Sequence, residues 1–481
     1  MNENTRLPSY DHGRLALGYA IAVGLALVAG ALLALGLGMQ PLAGGGGGVE
    51  PENYRRMYSM HGLLMVFVVA LPALPAVIGN WLLPRVLGLR EMALPRLNLL
   101  GFQLFAAGCA IFVLCCFLAP ADAGWSFELP FALKSQARLS FSLVAIVVLA
   151  ASFVCSGANL FVTVLASRGL GRAWSELPVL AWSLAISSLV QVLATPLLCV
   201  ALALFFAQRA GAADFFGAAP AGDLRFAEWF WLWGHPAFGA ALIAVLGVLA
   251  EVIGAHTGGR RAATRTEAVC LIAIAVLAFA ASGVHVLGAL GSAADAAGTS
   301  ALSLAVGLPF GLILLGWTRE LLGADVRATP SLAYAMCCLV LLCVGGMAGV
   351  FLSVLPTAAQ LRETCFATAQ FHYLVAGGTL AAFFAGLYHA WPRWFGVEVR
   401  AGWGHFGCAL FFVGMNLCFF PLFVLGYLGQ PRRSTQLIEG GASLGTLSAC
   451  GTVLVLVALV ITAWNLLSSL MQERSRVEEP A

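Results

Sequence analysis

The sequence predicts an all-α integral membrane protein with one bundle of twelve transmembrane helices. Hydrophobic residues make up 61% of the 481 residues and charged residues only 10%, whereas soluble domains are about 25% charged. The chain also contains twelve apolar runs long enough to cross the hydrocarbon layer of a membrane, which takes about 20 helical residues. This composition excludes an ordinary soluble enzyme.

The twelve apolar runs are separated by charged or Pro/Gly-rich breaks, none of them long enough for a soluble domain. We expect polar tails at 1–13 and 469–481 on either side of a single transmembrane domain at 14–468. The predicted helices lie near 14–38, 59–84, 97–119, 139–166, 178–208, 229–255, 267–290, 301–321, 331–355, 366–391, 403–428 and 442–468.

The distribution of positive charge predicts the orientation. With both termini in the cytoplasm, the cytoplasmic loops and tails hold most of the 25 Lys and Arg residues, as the positive-inside rule requires. The run from Gly44 to Gly48 then forms a flexible outer loop. We therefore expect a multi-pass protein of a bacterial-type inner membrane, in contact with lipid. The net charge of +3 is too small and scattered for a nucleic-acid surface.

Histidines are the main candidate functional groups, because the predicted helix interiors contain almost no Asp, Glu, Lys or Arg. His61, His235, His285 and His372 lie on four different predicted helices, at a similar depth below the outer face. Imidazole is a common ligand for iron and copper, so the set indicates a metal or haem region. Hydrogen-bonded interfacial histidines are the alternative.

The thirteen cysteines lack metal-site spacing and are predicted to be small core residues.

Several short motifs, each weak alone, occur in order between Met57 and Arg433. They are Met60-His61-Gly62 with Met65, Gly79-Asn80 with Pro84, Glu91 to Asn98, Trp233-Gly234-His235-Pro236, Phe371-His372-Tyr373, Tyr388 to Pro392, Asn416, Phe419-Phe420-Pro421 and Gly429 to Arg433. Together they resemble subunit I of the haem-copper oxidase superfamily, which includes the cytochrome c and quinol oxidases and the nitric oxide reductases.

The resemblance implies one low-spin haem. In that family a histidine of helix 2 and one of helix 10 hold this haem, and the matching residues here are His61 and His372. Arg432 and Arg433 match arginines that hold the haem propionates, and Trp125 matches a nearby outer-loop aromatic residue. Guanidinium groups suit this role because they pair bidentately with carboxylates. A solvated loop turn is the alternative for the two arginines.

The resemblance breaks at the second haem and its copper. The family's high-spin haem ligand stands two residues before the low-spin ligand, at Gln370 here, and a carboxamide is a poor ligand for haem iron. Of three copper-binding imidazoles only His235 and His285 remain, as residual positions. The family's cross-linked tyrosine corresponds to Gly239. We therefore expect one low-spin haem, no copper and a degenerate binuclear site.

The family's routes for proton delivery are also incomplete. Its helix 6 glutamate and helix 8 lysine correspond to Ala237 and Ile313, and its channel-mouth aspartate to Glu91. A carboxylate at the entrance makes no pathway without an acceptor inside, so Glu91 is expected to be an ordinary loop residue. At the outer face a His-Asp pair of the family is replaced by Arg362-Glu363, which can form a salt bridge.

These selective losses, beside an intact low-spin site, predict a respiratory-chain electron-transfer subunit without oxygen reductase activity of its own. A leucine near Leu35 stands where haem A members have an arginine, which favours haem B over haem A. Expected partners are other subunits of a respiratory complex, with cytochrome c, a cupredoxin-type subunit or quinol as electron donor. The alternatives are an oxidase or nitric oxide reductase subunit with a divergent site, a haem-free structural or assembly partner, and a transporter.

Overall fold

The computed structural model describes residues 11–40, 48–129, 131–169, 171–212, 215–216, 220–258, 262–288 and 293–478, without the side chains of 220–225, 283–288, 293–296, 299, 355 and 472–478. Twelve helices in this part are long and apolar enough to cross a membrane, which confirms the predicted fold class. They are α1 (His12–Met39), α2 (Pro51–Val86), α3 (Pro95–Leu118), α4 (Ser140–Arg168), α5 (Val179–Arg209), α6 (Phe226–His256), α7 (Arg265–Ser282), α8 (Ser300–Leu322), α9 (Pro330–Ser353), α10 (Cys365–Phe395), α11 (Ala401–Tyr427) and α12 (Ala442–Met471).

Three helices, α2, α6 and α10, form the centre of the bundle. In their most apolar stretches 83%, 67% and 72% of the residues are buried, against 17% in α1 and in α8. Around the centre, α3 packs on α4, α5 on α6, and α11 on α12. Outer helices expose large apolar side chains such as Leu25 and Phe117. Lipid is the solvent that suits such a surface.

The contact between α11 and α12 depends on glycine. A Cβ atom at Gly414 would lie 2.8 Å from the backbone nitrogen of Val455, and one at Gly451 would lie 2.1 Å from the backbone nitrogen of Cys418. Small residues let helix backbones approach closely, and inside a membrane this packing contributes much of the association energy. The two glycines therefore set the distance between these helices.

Some helix boundaries differ from the expected ones. The α2 helix begins at Pro51, before the predicted start near 59, and the α12 helix continues to Glu478, into the predicted tail. Hydropathy marks only the apolar part of a helix, whereas Glu and Arg are good helix formers in water. In the region of α8, separate helices cover Ala293–Ala305 and Gly307–Leu322. Residues 1–10 of the expected N-terminal tail, and most of the Gly44 to Gly48 loop, lie outside the described residues.

The prediction that the cysteines are core residues was partly wrong. Six of them are buried and five are half-buried, but Cys343 and Cys450 are exposed. Both exposed residues lie on apolar helices of the outer ring. A thiol is apolar enough to face lipid as readily as a protein core, and a hydrophobic pattern does not distinguish these two environments.

We expect Gly451→Ala to destabilise the protein by about 1–3 kcal/mol, the usual cost of overpacking a tight contact. The added methyl group would push α12 away from the backbone of α11. Thermal unfolding in detergent measures the effect. Gly346→Ala is the matched control, because a Cβ there meets no atom within 4 Å. Equal unfolding temperatures for the two variants would contradict this account of the α11–α12 contact.

Candidate functional site

The central helices α2 and α10 both change from α-helical to π-helical geometry beside a histidine. In α2 the π-helical segment is Leu64–Ala70, which starts three residues after His61. In α10 it is His372–Gly377, which starts at the histidine itself. A π-helical turn holds an extra residue and is frequent at functional sites. The backbone is therefore unusual on both sides of the same place in the bundle.

His61 and His372 face each other at this place. Their ring centroids are 6.3 Å apart and the ring planes differ by 13°. A histidine nitrogen binds a metal at about 2 Å, and it lies about 1 Å from the centre of its own ring. Two imidazoles on opposite sides of one metal therefore have centroids about 6 Å apart. The pair fits the two axial ligands of one haem iron.

The hydrogen bonds of both rings leave the same nitrogen free. Nδ1 of His61 donates to the carbonyl of Gly30 in α1 at 2.9 Å, and Nδ1 of His372 donates to the carbonyl of Thr368 at 2.7 Å. Because a carbonyl only accepts, each Nδ1 must carry the proton, and each Nε2 keeps its lone pair. This is the arrangement that orients histidines as metal ligands.

Aromatic side chains enclose the histidine pair. The ring of Phe419 in α11 stacks on His372 with centroids 4.4 Å apart. Trp125, from the loop after α3, lies 5.8 Å from the ring of Phe371, and it covers Gly62 so closely that a Cβ there would lie 2.8 Å from the indole. Trp125 therefore lies beside both histidine-bearing helices.

Arg432 and Arg433 lie in the loop after α11, at the end of the bundle that also carries the α3–α4 loop. We call this the outer end, after the predicted orientation. Arg432 forms a two-point ion pair with Glu363, with nitrogen–oxygen distances of 2.9 and 2.7 Å. Arg433 forms a two-point pair with Glu128, and its Nε donates to the Tyr58 hydroxyl at 3.1 Å. The arginines are therefore bound by carboxylates of the protein itself.

The predicted salt bridge between Arg362 and Glu363 is replaced by the pair of Glu363 with Arg432. The backbone explains this choice. Arg432 donates its N–H to the carbonyl of Glu363 at 3.1 Å, and Cys365 donates to the carbonyl of Gln430 at 3.0 Å. These bonds hold the α11–α12 loop against the start of α10, which brings Arg432 to Glu363. The ion-pair partner of Glu363 is therefore Arg432 and not its sequence neighbour Arg362.

Of the remaining predicted site residues, His235 and Gly239 lie on α6 and Gln370 lies on α10. His235 lies in α6 with its ring 5.5 Å from Trp231, and the side chain of His285 lies outside the described residues. The amide of Gln370 is near Gly349 of α9. A Cβ at Gly239 would lie 2.7 Å from that of Ala278 in α7, so the two helices touch there. Among side chains that the structure describes, no three His, Cys, Asp or Glu residues form a metal-binding group.

A cavity with a partly polar wall lies between α2, α4, α5 and α6. Its wall includes Tyr19, whose hydroxyl is 3.0 Å from that of Ser156. Two polar atoms on the wall, Oγ of Ser188 and Nε2 of Gln191, are buried without a hydrogen-bond partner. Ala237, the position of the family's glutamate, also lies on this wall. The cavity thus reaches that position but meets a methyl group there.

Two residues of the outer end were missed in the sequence, Glu128 and Tyr58. Glu128 contacts both arginines, since it also lies 4.0 Å from Arg432. A signal was available, because Glu128 stands only three residues after Trp125 in the same short loop. Its pairing with an arginine 305 residues away depends on the folded loops and has no local pattern.

The fold matches a class of respiratory enzymes. A solved structure of a heme-copper terminal oxidase dimer superposes with a TM-score of 0.78 at 16% identity, and covers 94% of this chain and 84% of that chain. At this identity the likeness shows the fold alone. The architecture is therefore that of a haem-copper oxidase subunit.

Sequence comparison gives the family. The chain is 28% identical over 470 residues to cytochrome c oxidase subunit 1 of Bacillus subtilis, covering 96% of this chain and 75% of the relative. It is 27% identical over 467 residues to quinol oxidase subunit 1 of the same organism, covering 96% and 72%. The family described as Cytochrome C and Quinol oxidase polypeptide I matches residues 14–472, and this protein belongs to it. Its members are respiratory membrane proteins that bind haems, typically with copper, and work in multi-subunit oxidases.

We expect Ser59→Ala to loosen the loop that carries Trp125. The buried Ser59 hydroxyl accepts the N–H of Gly124 at 2.8 Å, and losing it leaves that buried N–H unpaired at a cost of about 1–3 kcal/mol. Thermal unfolding and tryptophan fluorescence should both change. Thr318→Ala is the control, since its exposed hydroxyl only donates to Leu314 in its own helix. An unchanged Ser59→Ala variant would contradict this role.

Proposed function

We propose that this protein is an electron-transfer subunit of a respiratory complex, which binds one low-spin haem between His61 and His372. A haem held there would supply a one-electron redox centre near the outer face of the membrane. On this proposal the chain keeps the fold of its oxidase relatives but does not reduce oxygen by itself.

The observation that carries the proposal is the opposed pair of imidazoles. Their spacing of 6.3 Å suits one iron between two nitrogens, and both Nδ1 atoms are already committed to carbonyl oxygens. When bound, such a haem supplies a one-electron redox centre whose axial positions are both filled. The protein's part is to orient the two ligands and, through Phe419 and Trp125, to exclude water from them.

The residues at the second metal site support the absence of oxygen chemistry. Gln370 replaces the imidazole that would hold a second haem, and an amide oxygen is a much weaker ligand for haem iron. Gly239 has no side chain to replace the tyrosine. Ala237 places a methyl group on the wall of the cavity between α2, α4, α5 and α6, where a proton acceptor would be needed. His235 and His285 alone supply fewer ligands than a copper ion bound by three imidazoles requires.

The partners follow from the same proposal. Electrons would arrive from cytochrome c, a cupredoxin-type subunit or quinol, and leave to another subunit of the complex. The termini lie in the cytoplasm, so the histidine pair lies toward the outer face. We propose that the haem is haem B, because a leucine near Leu35 stands where haem A members have an arginine.

Purified protein should contain about one haem per chain with a low-spin spectrum, since two strong axial ligands favour that state. His61→Ala and His372→Ala should each lose this spectrum or convert it to a high-spin form. The haem content and the optical spectrum are measured for the wild type and for each variant. His405→Ala is the control and should keep the wild-type spectrum. His405 lies near the start of α11, about 20 Å along the helix from Phe419, the α11 residue that stacks on His372. A low-spin haem retained after both replacements would refute the ligand assignment.

Gln370→His tests whether residue 370 accounts for the loss of the second haem. We expect haem content to rise above that of the wild type, with a new high-spin signal, because an imidazole is restored beside His372. Gln370→Asn should leave both unchanged. If wild-type protein already shows a high-spin haem, or if membranes containing it consume oxygen or nitric oxide, the chain is a working oxidase or reductase subunit with a divergent site.

A further inference from the structure

Glu128 contacts both arginines of the outer end. Both of its oxygens contact the guanidinium of Arg433, and one lies 4.0 Å from Arg432. Its side chain is 34% exposed, against 71% for Glu363. Charges shielded from water interact more strongly over distance. Of the two acids, Glu128 therefore has the greater electrostatic influence on its surroundings.

Arg433 is fixed in one arrangement. Its Nη atoms pair with Glu128 and its Nε donates to Tyr58, so all three nitrogens are engaged. Its carbon Cζ also lies 5.3 Å above the ring of Tyr58. The backbone at Arg433 has φ of +64°, which is costly for a residue with a side chain and persists only where the surroundings hold it.

Arg432 keeps a free pair of parallel N–H groups that Arg433 lacks. Its pair with Glu363 uses Nε and Nη2 on one edge of the guanidinium. The edge formed by Nη1 and the second N–H of Nη2 remains outside that pair, whereas Glu128 occupies the same edge of Arg433. A haem carries two carboxylates, and a guanidinium binds a carboxylate best through two parallel N–H groups. The two arginines are therefore not equivalent toward a haem.

The ion pairs of Glu128, Arg432 and Arg433 are connected to the proposed haem site through contacts with α2. Tyr58 stands three residues before His61, about one helical turn away. Trp125, which stands three residues before Glu128, covers Gly62 beside the same histidine. Gly124 of that loop is also hydrogen-bonded to Ser59 of α2. Arg433 thus links the Glu128 carboxylate to Tyr58 of α2, one helical turn before the ligand.

We propose that Glu128 is a positioning residue that sets the redox potential of the haem. It takes Arg433 away from the haem carboxylates, leaves Arg432 as their guanidinium partner, and adds a negative charge near the iron. A nearby negative charge disfavours the reduced haem, because reduction adds an electron. Glu128 therefore lowers the midpoint potential. This inference rests on the proposed function.

Potentiometric titration of the full-length protein in detergent tests the proposal. Glu128→Gln should shift the midpoint potential upward, with haem content and the low-spin spectrum unchanged, and Arg433→Gln should shift it downward. The double variant should return toward the wild-type potential. The matched control is Glu363→Gln, which removes the same charge at a more exposed position and should cause a smaller upward shift. Added salt should reduce every shift, since it screens exposed charges.

The outcomes separate the two proposals. If the wild type binds a low-spin haem but Glu128→Gln leaves its potential unchanged, or shifts it less than Glu363→Gln does, the role of Glu128 is refuted and the haem site stands. If Glu128→Gln alone does not fold, the double variant decides, and a potential no higher than that of Arg433→Gln refutes the role. If the wild type binds no haem, both proposals fail together.

Discussion

The proposed haem site depends on one constraint, the opposition of two imidazoles on separate helices at the centre of the bundle. His61 and His372 can face each other only if α2 and α10 are both buried and held at a fixed distance. The structure meets this requirement with two of its most buried helices and with a carbonyl that fixes each ring. Gly30 contributes twice, because its lack of a side chain admits Met65 of α2 while its carbonyl orients His61.

Charged side chains lie at the outer end of this mostly apolar helix bundle. Two glutamates and two arginines form one chain of ion pairs, in the order Glu363, Arg432, Glu128 and Arg433. The backbone contact between the α11–α12 loop and α10 holds this chain in place. Charged groups near the membrane interface are expensive to bury without partners. Mutual pairing satisfies them, and at the same time it determines how much positive charge a haem in this site would meet.

The sequence predicted those features that depend on local pattern. Apolar length identified twelve spans. Short motifs predicted His61 and His372 as one pair, which the structure brings face to face. The ion-pair partners could not be predicted from the sequence, because Glu128 and Arg433 are 305 residues apart and meet only through the conformation of their loops. The π-helical turns were also missed, since they reflect how α2 and α10 pack and not what residues they contain. Exposed cysteines escaped prediction because lipid and protein core look alike in hydropathy.

The most direct test of the central claim is an optical difference spectrum of the reduced protein, recorded with and without carbon monoxide. A haem held by two histidines has no open axial position, so the account predicts a low-spin spectrum that carbon monoxide leaves unchanged. A carbon monoxide-induced shift in the wild type would contradict it, because that shift requires an iron with a vacant or easily displaced ligand.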